Sequence, residues 1–173
     1  MRWGYYFSRL NRDTIGRYDV TPLFADPSVF SNLISDLLRQ FRGTPFEKVV
    51  GIDALGFVLV GAIALRAKKP LALIRKGGKL PLRPKELLRA SFTDYSRSRK
   101  TFEMSKSAIS RGDRVLIVDE WIETGAQAMA AIRLVERAGG TVVGIAAISC
   151  DRNKNTATLL AKYNCKTLNN IRT

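Results

Sequence analysis

Two adjacent carboxylates, Asp119 and Glu120, close the apolar run Val115 to Val118, and after three intervening residues Thr124-Gly125 opens what reads as a helix. Free amides at a helix start attract phosphate, whereas neighbouring carboxylates repel it. One kind of ligand reconciles them, a phosphate ester carrying vicinal hydroxyls. The hydroxyls donate to the carboxylates, or the carboxylates hold Mg2+ through water, while the amides take the phosphate. A phosphorylated ribose has this form. Two further groups belong with these acids: Asp53, at the end of the apolar run Lys48 to Ile52, and Arg75, which precedes the basic glycine loop Lys76 to Pro81. Asp53, Arg75 and Asp119 are each expected at the carboxyl end of a strand, the edge where parallel sheets bind ligands.

Positioning these residues requires an α/β fold. Asp26-Pro27 reads as an N-cap followed by a first helical residue, and Val29, Phe30, Leu33, Ile34, Leu37 and Leu38 follow at helical spacing. Lys48–Asp53, Pro70–Arg75, Arg114–Asp119 and Thr141–Cys150 read as strands, with helices expected over 54–69 and from Thr124 to about Ala138, the latter closed by Gly139-Gly140. Apolar strands alternating with helices predict a central, mostly parallel sheet flanked by helices. The first 26 residues read as irregular, and 84–110 as polar and mobile. A length of 173 residues predicts a single domain.

Composition narrows the chemistry. There is no histidine, which excludes histidine-based triads and most zinc sites. Cys150 and Cys165 have neither CxxC nor metal-ligand spacing, so reduced thiols in a cytoplasm are expected. The apolar stretch from Ala54 to Leu65 is too short to span a bilayer, and the N-terminus lacks the apolar core of a signal peptide. Net charge is +14, and 15 Lys/Arg against 4 Asp/Glu between Arg66 and Arg114 place +11 of it in that stretch. Such a field suits nucleic acid or a phosphorylated small molecule, and it also suits a merely solvated face.

The segment "VLIVDEWIETG" resembles the phosphoribosyl pyrophosphate (PRPP) loop of type I phosphoribosyltransferases. The resemblance is strongest to the adenine phosphoribosyltransferases, through "RYDVTPLFADP", "GIDALGF", "RKGGKLP" and "DYSRSRKTFEMSKSAI" in the family's order. It implies a small N-terminal hood over 1–26 and a lid within 84–110 that closes from about Tyr95 to Glu103, with Arg97, Arg99 and Lys100 facing the anion. Asp119 and Glu120 would hold the ribose hydroxyls, and Thr124, Gly125, Ala126 and Gln127 the 5′-phosphate. Asp53, Ala54, Leu55 and Gly56 would hold pyrophosphate, and Arg75 and Lys79 would neutralise its charge, in this family often across a dimer interface. Magnesium would arrive with PRPP, water-bridged to Asp119. A homodimer, with PRPP and a purine as the substrates, is also implied.

Departures from the family pattern gather at the base. Leu55 replaces an arginine usual in the pyrophosphate loop, and Arg17-Tyr18 replaces the Phe-Arg pair that contacts adenine. Asp94 stands where the lid has a longer acid, and Ala126-Gln127 where Gly-Thr is usual. Glu123 replaces a common alanine; hypoxanthine-guanine enzymes carry an aspartate there. Glu123 and Asp94 are thus the candidate proton-transfer groups, and Trp121 joins Arg17 and Tyr18 as a candidate wall of the base pocket; a dipole-favoured acid and a packed indole are the structural alternatives. The implied activity is transfer of phosphoribose from PRPP to adenine, giving AMP and pyrophosphate. Hypoxanthine, guanine or xanthine as acceptor, and a PRPP-sensing regulator that binds nucleic acid without turnover, are the alternatives. No helix-turn-helix or aromatic-rich RNA motif supports the regulator.

Overall fold

A computed structural model describes residues 1–173 apart from Gly16, 95–97 and 171–173, and apart from the side chain of Asn170. Seven strands form one sheet in the order β3-β4-β2-β1-β5-β6-β7. The parallel part comprises β2 (Leu71–Lys76), β1 (Lys48–Ile52), β5 (Arg114–Ile122), β6 (Thr141–Cys150) and β7 (Cys165–Thr167). The expected mostly parallel sheet is therefore present, and the strands are apolar because both of its faces are covered.

Side chains alternate between the two faces. Val50, Ile52, Ile74, Val115 and Ile117 enter one core with α5 (Ala126–Arg137). Val49, Leu116, Val118, Ala146 and Ile148 enter the other with α3 (Pro27–Arg39) and α4 (Gly56–Ala67). α3 starts as its sequence dictates: the Asp26 carboxylate accepts from the Ser28 and Val29 amides at 2.8 and 3.0 Å, and Pro27 occupies the first turn.

Two expectations need correction. The stretch 84–110 is mostly an antiparallel hairpin, β3 (Leu87–Thr93) with β4 (Arg99–Ser105), and β4 pairs with β2 at Arg75 and Lys76. Its alternation is obscured by Glu103, a buried charge satisfied by Arg89 Nε at 2.8 Å and the Gly78 amide at 2.8 Å. Of the expected lid, Arg97 lies outside the described residues with Tyr95 and Ser96, while Arg99 to Glu103 are strand. The N-terminal segment is likewise not all irregular, since it holds α1 (Trp3–Phe7) and α2 (Pro22–Ala25). Tyr6 is fully buried and donates its hydroxyl to the buried Asp36 carboxylate at 2.6 Å, tying α1 to α3.

Candidate functional site

The site forms at the carboxyl edge of β2, β1 and β5. Gly51 pairs with Val118, so Asp53 and the Asp119-Glu120 pair leave neighbouring strands at one level. β5 runs on to Ile122, which places the acid pair inside the strand's last turns rather than beyond its end. α4 follows β1 after a short turn, and its first residue leaves little room for a side chain: a Cβ on Gly56 would lie 3.1 Å from the Val118 carbonyl oxygen and 3.3 Å from Asp119 Oδ1. Asp53 and Ala54 are joined by a cis peptide bond. These loops enclose a cavity of about 550 Å³ whose lining includes Asp53, Ala54, Leu55, Asp119, Glu120 and Gln127.

The turn after β5 is built from local bonds. Gly125 has φ +80°, a left-handed conformation that costs a side chain about 1–2 kcal/mol, and a Cβ there would approach Leu159 Cδ1 to 3.0 Å. α5 therefore begins at Ala126, two residues later than expected from Thr124. Thr124 Oγ1 accepts from the Ala126 amide at 3.3 Å, and Asn153 Nδ2 donates to the Glu123 carbonyl at 2.7 Å. Thr124, Gly125, Glu123, Gln127 and Asp94 line one small recess opening beside Asp119; Ala126 does not line it.

Electrostatics distinguish the acids. Asp119 and Glu120 are 5% and 8% exposed. Burial, and then the Glu120 charge, push the Asp119 carboxyl well above its ordinary range, although the Glu120 amide donates to Asp119 Oδ1 at 2.9 Å. Glu123 is also raised, first by burial and then by Asp151, Glu120 and Asp94, against the lowering effect of Arg17. Arg17 Nη1 stands between the two glutamates, 3.8 Å from Glu120 Oε1 and 3.7 Å from Glu123 Oε1.

The base-side candidates meet here too. Trp121 and Tyr18 pack edge to face with centroids 5.9 Å apart, and Tyr18 meets Phe7 likewise at 5.7 Å. With Arg17, Glu123 and Thr124 they border a second cavity of about 590 Å³. Trp121 lines both large cavities.

Arg75 and Lys79 are not brought to the cavity. Arg75 Nε lies 3.4 Å from Asp53 Oδ2, and its Nη1 donates to the Lys79 carbonyl at 3.2 Å; Lys79 itself is exposed. The cationic lining comes instead from Lys76, Arg99, Lys100 and Arg17. Alternation along β2, where Ala72 and Ile74 are buried, marks Lys76 rather than its neighbours. Asp151 and Asn153 were also missed, though they follow β6 directly and the rule applied to Asp53 and Asp119 selects them. Among the described residues no three acids or thiols gather to hold a metal ion alone. The buried acid pair does suit a cation that arrives with an anionic ligand, because its positive charge would offset the burial and the Glu120 repulsion that raise Asp119.

Residues 28–172 match the model of the phosphoribosyl transferase domain. The chain is 42% identical over 125 residues to the adenine phosphoribosyltransferase of Roseobacter denitrificans, covering 72% of this chain and 69% of that one. It is 35% identical over 151 residues to that of Nitrosopumilus maritimus, covering 87% and 86%. The crystal structure of adenine phosphoribosyltransferase from Rhodothermus marinus superposes with a TM-score of 0.85 at 35% identity, covering 96% of each chain.

Proposed function

We propose that this chain, which belongs to the phosphoribosyl transferase family, transfers the phosphoribosyl group of PRPP to adenine, giving AMP and pyrophosphate. The observation that carries this reading is that the buried Asp119 borders both the cavity closed by the turn opening α4 and the recess formed by the glycine-fixed turn opening α5, with Gln127 lining the two.

A purine nitrogen attacks C1 of the ribose as the C1–oxygen bond to pyrophosphate breaks, through an oxocarbenium-like state. Alignment and charge compensation are the protein's contribution. Asp119 and Glu120 accept hydrogen bonds from the ribose hydroxyls. Thr124 and Gln127, with the amides of Gly125 and Ala126, hold the 5′-phosphate. The turn from Asp53 to Gly56 holds pyrophosphate, whose charge Lys76, Arg99 and Lys100 meet; Arg75 and Lys79 act behind them by holding Asp53 and the glycine loop. Leu55 gives this turn no charge of its own, which leaves more of the compensation to the hairpin. Magnesium bound to PRPP, water-bridged to Asp119, would supply positive charge at the leaving group. Tyr18, Trp121 and Arg17 bound the base. Glu123, half-sequestered with a raised carboxyl, exchanges the proton the purine gives up, a task Asp94 shares the recess to assist.

A homodimer fits α4. This helix is apolar on most sides, and Val58 and Leu65, seven residues apart on one face, are 42% and 83% exposed. Free thiols at Cys150 and Cys165 fit a reducing cytoplasm, and no helix among the described residues is long and apolar enough to cross a membrane.

The test is pyrophosphate release with PRPP, Mg2+ and each purine in turn. Adenine should be the preferred acceptor; preference for hypoxanthine, guanine or xanthine would reassign the base, and no release with any purine would overturn the reading. Salt-dependent binding of DNA or RNA without release would favour a regulator.

A further inference from the structure

Asp151 follows β6 directly and is one of the charges that raise Glu123. Its backbone is held on both sides: the amide donates to the Ile122 carbonyl at 2.8 Å, and the carbonyl accepts from Thr156 Oγ1 at 2.6 Å. The Asp151 main chain is thereby fixed relative to the end of β5, with the carboxylate within reach of Trp121. From there Oδ1 accepts the Trp121 indole N–H at 2.8 Å. The ring so anchored is the one that takes the edge of Tyr18 and stands between the two large cavities.

We propose that Asp151 is a positioning residue for base selection, acting through Trp121: it holds the indole as a fixed partition and so sets the slot open to a planar base between the hood and Glu123. The inference rests on the purine-acceptor reading above. Geometry gives it direction. An indole has a single donor, so one acceptor determines which edge faces the cavity. Asp151 is exposed, so without its carboxylate the N–H turns to water and the ring is free to swing toward either cavity. The acid pair and the α5 turn are held by other bonds and are untouched by the change.

The experiment is steady-state kinetics with adenine and with guanine. Asp151→Ala should raise the adenine KM about tenfold, the scale of a lost charge-assisted hydrogen bond, and narrow discrimination against guanine, with the PRPP KM within about twofold of the parent. Asp151→Asn keeps an acceptor at the same reach and should restore most of the adenine KM. In a Trp121→Phe background, which has no N–H, Asp151→Ala should add nothing further. An unchanged adenine KM overturns the proposal. So does an Asn variant as impaired as Ala, which would make the charge itself the active feature. A second measurement does not depend on turnover. In a Trp3→Phe background Trp121 is the only tryptophan, and its emission should shift to the red and become more quenchable by iodide when Asp151 is Ala. If no purine is turned over but the shift is seen, the acceptor reading fails while the anchoring stands; no shift removes the anchoring itself.

Discussion

The two walls of the cavity are built in different ways. On the ribose side, Asp119 and Glu120 are almost wholly buried, and Gly56 and Gly125 sit where a methyl group would press to within 3.1 and 3.0 Å of its neighbours. Facing them, the hood presents Ile15 fully exposed, Arg17 48% exposed and Tyr18 37% exposed. The first wall consists of backbone packed to contact, so few sequences satisfy it; the second consists of side chains reaching in from solvent, so many do. Departures from the family pattern accordingly include Arg17, Tyr18 and Glu123 on the open wall, while the acid pair, Gly56 and Gly125 are kept on the packed one; Leu55 and Ala126-Gln127 are the packed wall's own departures.

If that contrast is right, the largest effect comes from the buried wall and splits activity from stability. Asp119→Asn should reduce turnover by about 10²-fold or more, the scale of a lost preorganised contact. The same variant should be more stable than the parent at neutral pH. A carboxyl whose folded pKa is raised gives its full stability below its unfolded pKa, and that stability is lost as pH rises through the folded value. Removing the ionisable group removes that loss, and urea denaturation at pH 5 and pH 8 reads it as a gap that widens at the higher pH. Equal stability at both values would remove the burial argument.

Next is Glu123→Gln, which should lower kcat by about 10²-fold and abolish an acidic limb of the pH–rate profile lying above 4.5, the ordinary glutamate value. If Asp94→Asn removes that limb and Glu123→Gln leaves it, the roles are exchanged. Gly125→Ala should destabilise the fold by about 1–2 kcal/mol, from the left-handed backbone alone, and raise the PRPP KM without altering preference among bases. The smallest effect belongs to the solvent-side wall. Arg17→Ala should raise the adenine KM no more than about fivefold, because exposed ion pairs near 4 Å contribute about 0–1 kcal/mol, and its effect should fade with added salt. An Arg17 variant as damaging as Asp119→Asn would erase the distinction between the walls.

The same distinction explains what could be read in advance. β1, β2, β5 and β6 announce themselves as apolar runs because they are covered on both faces, and α3 because Asp26-Pro27 fixes its start. The acid pair and Thr124-Gly125 were legible as a conflict between repulsion and attraction that few ligands resolve. The β3–β4 hairpin was not, since a buried Glu103 and the cations of its rim read as loop composition. α1 is only five residues long, and its anchor, Tyr6 to Asp36, joins positions thirty residues apart. Lys76 was not singled out beside Arg75 and Lys79, because local charge does not reveal which face of a strand a residue occupies. Asp151 has a similar history: its role depends on a ring thirty positions earlier, which no local pattern links to it.

The pairing of Gly51 with Val118 has one further consequence. It makes the hydrogen-bond ladder a ruler: the turns for ribose and for pyrophosphate are spaced by the fixed gap between neighbouring strands, about 4.8 Å, and not by anything the loops themselves decide. One residue inserted in β1 or β5 would turn every following side chain to the opposite face. Two would keep the faces and carry one turn about 6.6 Å past the other, farther than a phosphate is wide. Substrate length is in this sense written into strand register, and such a site has no small step by which to lengthen its ligand.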